Sequence, residues 1–127
     1  MIDHISLNVS NLETSRDFFL GAMKPLGGEM IYDIKDVEAW GMGIKGCAVG
    51  KDGHVVVWLG MDDKPVKTHI AFAANSEEEV QQFYDAALAA GGTDNGAPGI
   101  REQYAKNYYA AFVIDPDGNN IEAVYRG

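Results

Sequence analysis

Cysteine is nearly absent: Cys47 is the one thiol in 127 residues. A single thiol closes no intrachain disulfide and builds no cysteine-based zinc cluster. Positive charge is also scarce. Lys and Arg number 10 against 19 Asp and Glu, for a formal charge of −9. Nucleic acid demands basic patches that neutralise phosphate, so no nucleic-acid partner is expected. Anionic membrane surfaces are excluded on the same ground. No apolar run nears the roughly 20 residues of a membrane span. The start, MIDHISLNV, has neither a basic n-region nor a long apolar h-region, so no signal peptide is expected. The expectation is a cytoplasmic protein.

What is present reads as an ordinary globular chain, 46% hydrophobic and 23% charged. Its length allows one compact unit with a sizeable core. The chain also repeats itself. At the offset that places His4 on His69, Ile5 falls on Ile70, Glu13 on Glu78, Phe18 on Phe83, Ala22 on Ala87 and Gly27 on Gly92. Asp52 and Gly53 fall on Asp117 and Gly118. The matches are few, but they land at equivalent structural punctuation.

In the first unit, HISLNV alternates, with Ile5, Leu7 and Val9 on one face and His4, Ser6 and Asn8 on the other. That pattern is a half-buried strand. Ser10 and Glu13 have capping-box spacing and open a helix with Phe18, Phe19, Ala22 and Met23 along one stripe. Pro25 and the glycines at 27 and 28 end it. Strand-like runs follow in EMIYDI, AWGMGI and CAVG, and a KDG turn leads into HVVVWLG. In the second unit HIAFAA is the strand, Asn75 and Glu78 hold the cap positions, and VQQFYDAALAA is the helix. A polar, glycine-rich stretch covers 93–99, then come NYYAAFVI, a DPDG turn and NIEAVY. The fold class expected is α+β, with two tandem βαβββ modules pairing curved sheets around a central cleft. Module 1 covers 1–60, a linker 61–67, and module 2 covers 68–127. One helix per module cannot cover both sheet faces, so the sheets must share a core within a chain or across a homodimer.

Strand alternation turns His4 and His69 away from the apolar faces their helices need. A pseudo-two-fold would aim both into one cleft, and neutral imidazole is the commonest metal ligand. Glu122 sits in NIEAVY, where an ionised carboxylate is costly unless paired or coordinated. Two histidines and one carboxylate leave open positions for a substrate. The same offset places Val57 opposite Glu122, and neither Val57 nor its neighbours Val56 and Trp58 can ligate. The bland alternatives are a hydrogen-bonded strand histidine and a carboxylate reaching solvent. His54 reads as a turn residue, Cys47 as a small buried residue, and the acidic run at 76–79 as a first helical turn facing its dipole. GMGIKG lacks the spacing of a phosphate loop.

These features, with His4 in DHISLNV, His69 in THIAFAA, Glu122 in DPDGNNIEAV and the SRDFF run, resemble the vicinal oxygen chelate superfamily from end to end. That superfamily includes glyoxalase I, extradiol dioxygenases, fosfomycin-resistance enzymes and bleomycin-resistance proteins. The resemblance implies paired βαβββ modules and a divalent ion (Fe, Mn, Zn or Ni) held by His4, His69 and Glu122. It implies a small substrate chelated through adjacent oxygens, with Glu122 also the catalytic group. The family's ligand on the last strand of module 1 falls at Val57, which departs from glyoxalase I and leaves a set more like the extradiol dioxygenases.

Trp40, Trp58, Tyr104, Tyr108 and Tyr109 could line a substrate cleft, with Trp40, Trp58 and Tyr109 the candidate substrate-binding residues, though strand aromatics more often serve plain sheet packing. Three functions stay open: a metal-dependent lyase, isomerase or dioxygenase; a module that sequesters a small molecule such as a cationic antibiotic; and a metal-free degenerate member.

Overall fold

A computed structural model describes all 127 residues. The first unit runs β1 (Ile5–Val9), α1 (Leu12–Met23), β2 (Glu29–Tyr32), α2 (Ile34–Ala39), β3 (Gly46–Lys51) and β4 (His54–Met61). The second runs β5 (His69–Ala73), α3 (Glu77–Ala89), β6 (Thr93–Ile100), β7 (Tyr108–Ile114) and β8 (Asn120–Arg126). Each unit folds one four-stranded mixed sheet, ordered β1-β4-β3-β2 and β5-β8-β7-β6. The first strand of each unit is therefore a sheet edge, parallel to the last strand of its own unit. The expected α+β fold of two βαβββ modules is what forms, with one extra helix, α2.

The helices join the modules. α1 packs on α3, and one core of 22 buried residues draws on both units. Phe18, Phe19 and Phe83 are fully buried there, the first two edge to face at 5.2 Å. Truncating any of the three to alanine costs about 3–5 kcal/mol. The close approach needs Gly92, where an added Cβ would lie 2.3 Å from Val113 and 2.9 Å from Phe18. Cys47 is buried as expected, and burial pushes its thiol up to about 11.

Several local expectations shift. Both helix caps move by one residue: Asn11 caps α1 by accepting from Thr14, and Ser76 caps α3 by accepting from Glu79. Ser10 is free for another role because Asn11 does the capping. AWGMGI is not a strand. Asp33 and Asp36 form a capping box that starts α2, and Gly41 and Gly43, both at positive φ, follow it as a loop. The polar 93–99 stretch supplies strand β6, the strand that the βαβββ order requires after α3, paired to β7 through two register shifts. The KDG turn holds, with Asp52 and Gly53 both at positive φ, as a two-residue type I′ hairpin requires.

Candidate functional site

The DPDGNN segment builds the module 2 half of the site. Asp115 is buried and accepts from the backbone N–H of Asp117 and Asn119 and from the Asn119 side chain. Burial raises its pKa, and these three donors oppose that rise. Asn119, 1% exposed, accepts in turn from the Thr68 N–H at 2.8 Å. The Asn120 N–H donates to the Thr68 carbonyl. These bonds fix the start of β5 against β8, so His69 stands opposite Asn120 and Ala71 opposite Glu122.

His69 and Glu122 meet on the face of the sheet away from the helices. Nδ1 of His69 lies 2.9 Å from the Asn120 carbonyl oxygen, and Nε2 lies 3.0 Å from Glu122 Oε1. A carbonyl oxygen only accepts, so Nδ1 carries the proton. The neutral ring then aims the Nε2 lone pair at a carboxylate that also only accepts. That arrangement holds together only with a cation between them, either a proton on Nε2 or a metal ion. A histidine anchored through Nδ1–H to a backbone carbonyl is how proteins orient a metal ligand.

Glu122 is 2% exposed. Its second oxygen, Oε2, accepts from the Tyr108 hydroxyl. Burial pushes the Tyr108 phenol up to about 12, and its bond to the Glu122 carboxylate adds to the rise. Arg126 lies over the Tyr108 ring at 4.8 Å, and Tyr104 meets that ring edge on. Phe112 flanks His69 and carries the Arg101 guanidinium on its face.

The structure places Tyr109, the expected substrate residue, elsewhere. It faces the helices, inside the shared core, and its hydroxyl accepts from Gln81. Strand alternation puts its neighbour Tyr108 on the cleft side. Asn119 and Asn120 were missed by sequence reasoning, whereas Tyr108 stood among the aromatics that could line the cleft. The DPDGNN motif contained the signal for Asn119, since a buried turn needs side-chain acceptors for its backbone, whereas Asn120 acts through its main chain.

His4 is not brought to His69 and Glu122 within one chain. Its Nδ1 sits 2.7 Å from Asp3, whose other oxygen lies 3.3 Å from His54. No three His, Cys, Asp or Glu side chains converge in a single chain as a metal set. The free edges β1 and β5 face each other across a cavity of about 470 Å³ lined by Ser6, Asn8, Lys67 and His69 among others.

Sheet register also corrects the position equivalent to Glu122. Val57 pairs with Ile5 and is fully buried toward α1, so it does not face the cleft. The cleft-side row of module 1 is Ser6, Trp58, Ala48 and Tyr32. The matching row of module 2 is Ala71, Glu122, Phe112 and Gly96. Trp58 therefore holds the place of Glu122, and it is no ligand either.

A family profile described as Glyoxalase/Bleomycin resistance protein/Dioxygenase superfamily matches residues 1–123. The chain belongs to this superfamily. The glyoxalase/bleomycin resistance protein structure from Albidiferax ferrireducens T118 is 26% identical, with a TM-score of 0.73 over 100% of this chain and 99% of that one. A glyoxalase-related enzyme from Fulvimarina pelagi is 18% identical, TM-score 0.72, covering 98% of this chain and 87% of that one. The fosfomycin resistance protein FosX from Listeria monocytogenes is 21% identical, TM-score 0.69, covering 98% and 92%. The last two likenesses concern the fold. No curated protein sequence matches the chain. Within this superfamily member, no helix is long and apolar enough to cross a membrane.

Proposed function

We propose that this superfamily member is a divalent-cation-dependent enzyme acting on a small molecule with adjacent oxygen atoms. The observation that carries this reading is His69 Nε2 and Glu122 Oε1 lying 3.0 Å apart, with the ring anchored through Nδ1 on the Asn120 carbonyl, a spacing at which both could ligate one ion. His69 and Glu122 would hold the ion from one chain. His4 would come from a second copy, because the modules meet through α1 and α3 and leave the β1 and β5 edges free. The set, two neutral imidazoles and a carboxylate, suits Fe, Mn, Zn or Ni. When bound, the ion supplies Lewis acidity toward the two substrate oxygens.

The chain's own residues do the rest. Asn120 holds the His69 ring in its tautomer. Tyr108 holds one Glu122 oxygen, leaving Oε1 for the ion or for a substrate proton. Trp40 and Trp58 line a cavity on the module 1 sheet.

Metal analysis of protein purified without chelator tests the reading. The expected result is about one equivalent per chain, falling below about a tenth in His69→Ala and Glu122→Gln. Mixing refolded His4→Ala and His69→Ala chains tests the shared site. Heterodimers regain metal at one of two sites, whereas sites confined to one chain regain none. A parent protein that stays metal-free after reconstitution sinks the proposal. The second reading, binding without turnover, is favoured by Trp58 standing where a fourth ligand would.

A further inference from the structure

The cleft face of module 1 carries a pocket that owes nothing to the cation. Trp58 on β4 and Tyr32 on β2 flank Ala48, whose methyl is small enough for the two rings to meet above it. They stack at 5.7 Å with planes 14° apart. Trp40, at the C-terminal end of α2, meets both rings edge on at 5.2 and 6.1 Å and is 46% exposed. Beside them lies a cavity of about 340 Å³. Trp40, Trp58 and Ile44 form its apolar side, and Ser6, Asn8 and Lys45 its polar side. A flat apolar wall beside a few convergent polar groups is the build of a small-molecule site.

Charge sets the ligand class. The chain as a whole is strongly acidic, yet this cavity is lined by one cation and no carboxylate. Lys45 makes no ion pair. Glu13 and Glu38 line the neighbouring groove beyond Ile44 and Lys45, not this one. Stacking selects a planar ring, and Lys45, with the Asn8 amide and Ser6 hydroxyl, selects an anionic oxygen on that ring. We propose that Trp40, Trp58 and Lys45 form a binding site for a planar aromatic acid, an arene bearing a carboxylate or phenolate. The site deepens the proposed function by naming the substrate's aromatic half, but it forms without the metal.

The sequence supplies its own reporter, since Trp40 and Trp58 are the two tryptophans of the chain. A nitrogen-15 spectrum shows two indole N–H peaks, and both sit at this cavity. The probes are 2-naphthoate, the saturated decalin-2-carboxylate, and (2-naphthyl)trimethylammonium, each titrated in EDTA. Expected is a saturable shift of both peaks by 2-naphthoate, with Kd below about 1 mM. The saturated acid binds about tenfold more weakly, as do the Trp58→Leu and Trp40→Leu variants at the remaining indole. The naphthyl cation and Lys45→Ala each cost about threefold or more. The titrations in EDTA hold no metal, so loss of the metal reading leaves this one standing. Unmoved indole peaks overturn the proposal. So does a cation that binds as well as the anion, a saturated ring that binds as well as the planar one, or a Lys45→Ala variant indistinguishable from the parent.

Discussion

The Tyr108 hydroxyl donates to Glu122 Oε2, while Oε1 of the same carboxylate faces His69. One buried side chain thus divides the two oxygens of another. With Oε2 committed, Glu122 presents one oxygen to an ion and is held in one rotamer.

Tyr108→Phe removes the hydroxyl and keeps the ring against Arg126 and Tyr104. Outer partners of this kind support metal affinity by about 10- to 100-fold. Metal affinity measured by chelator competition should fall within that range. Stability should fall too, by about 1–3 kcal/mol, because the buried Glu122 Oε2 loses its donor. An affinity equal to that of the parent would remove Tyr108 from the site.

Asp117, in the turn between β7 and β8, reaches the other module. It accepts from the Ser10 N–H at 3.1 Å, from the Ser10 hydroxyl, and from the Ser15 hydroxyl at 3.4 Å. The carboxylate thereby clasps the start of α1 and ties the module 2 turn to module 1. Asp117→Ala should destabilise the fold by about 1.5–3 kcal/mol, the range for hydrogen bonds to a charged group. Denaturant melts check it. Ser10→Ala, which leaves the backbone donor in place, should cost less.

Much of this was legible in the sequence. Alternation put His69 on the cleft side of its strand, and the repeat of Phe18 on Phe83 and Gly27 on Gly92 exposed the two modules. What the repeat misplaced was register. The offset joining the histidines maps Glu122 onto Val57, but module 1 has one residue more between the cleft-side Ser6 and Ala48 than module 2 has between Ala71 and Phe112, while the hairpins that follow space Ala48 and Trp58 as they space Phe112 and Glu122. Strand pairing then slips by one residue, and a slip of one turns every side chain to the other face. The same one-residue uncertainty moved both helix caps. Tyr108 and Tyr109 differ only in face, and no local propensity separates adjacent tyrosines on a strand that is buried on both sides.

That register is testable by adding a carboxylate. Val57→Glu places a charge in the shared core with no partner, and should cost more than about 4 kcal/mol or abolish folding. Trp58→Glu places it on the half-buried cleft face, opposite Ser6. That variant should fold, lose the stacking with Tyr32, and bind divalent metal more tightly than the parent by chelator competition. The reverse order of stabilities would mean that Val57, not Trp58, faces the cleft.

Acid should act on the aromatic pocket through a helix cap. The Asp33 carboxylate accepts from the Ile34 N–H at 2.7 Å and from Arg16 at 3.1 Å. The backbone donor chiefly, with Arg16 adding to it against partial burial, holds its pKa below the ordinary 3.8. The folded protein therefore binds this proton less readily than the unfolded chain. Asp33 contributes its stability in full above the ordinary value, and loses it as pH falls through the lowered one. Asp33→Ala should cost about 1–2 kcal/mol at neutral pH, as for a lost cap. The gap between parent and variant should stay constant down to about pH 5 and close below about pH 4. α2 ends at Trp40, so the same titration should loosen that indole. Its N–H peak should broaden or shift in acid in the parent, and already at neutral pH in the variant. A gap that widened on acidification would show that Asp33 is not held in its ionised form by α2.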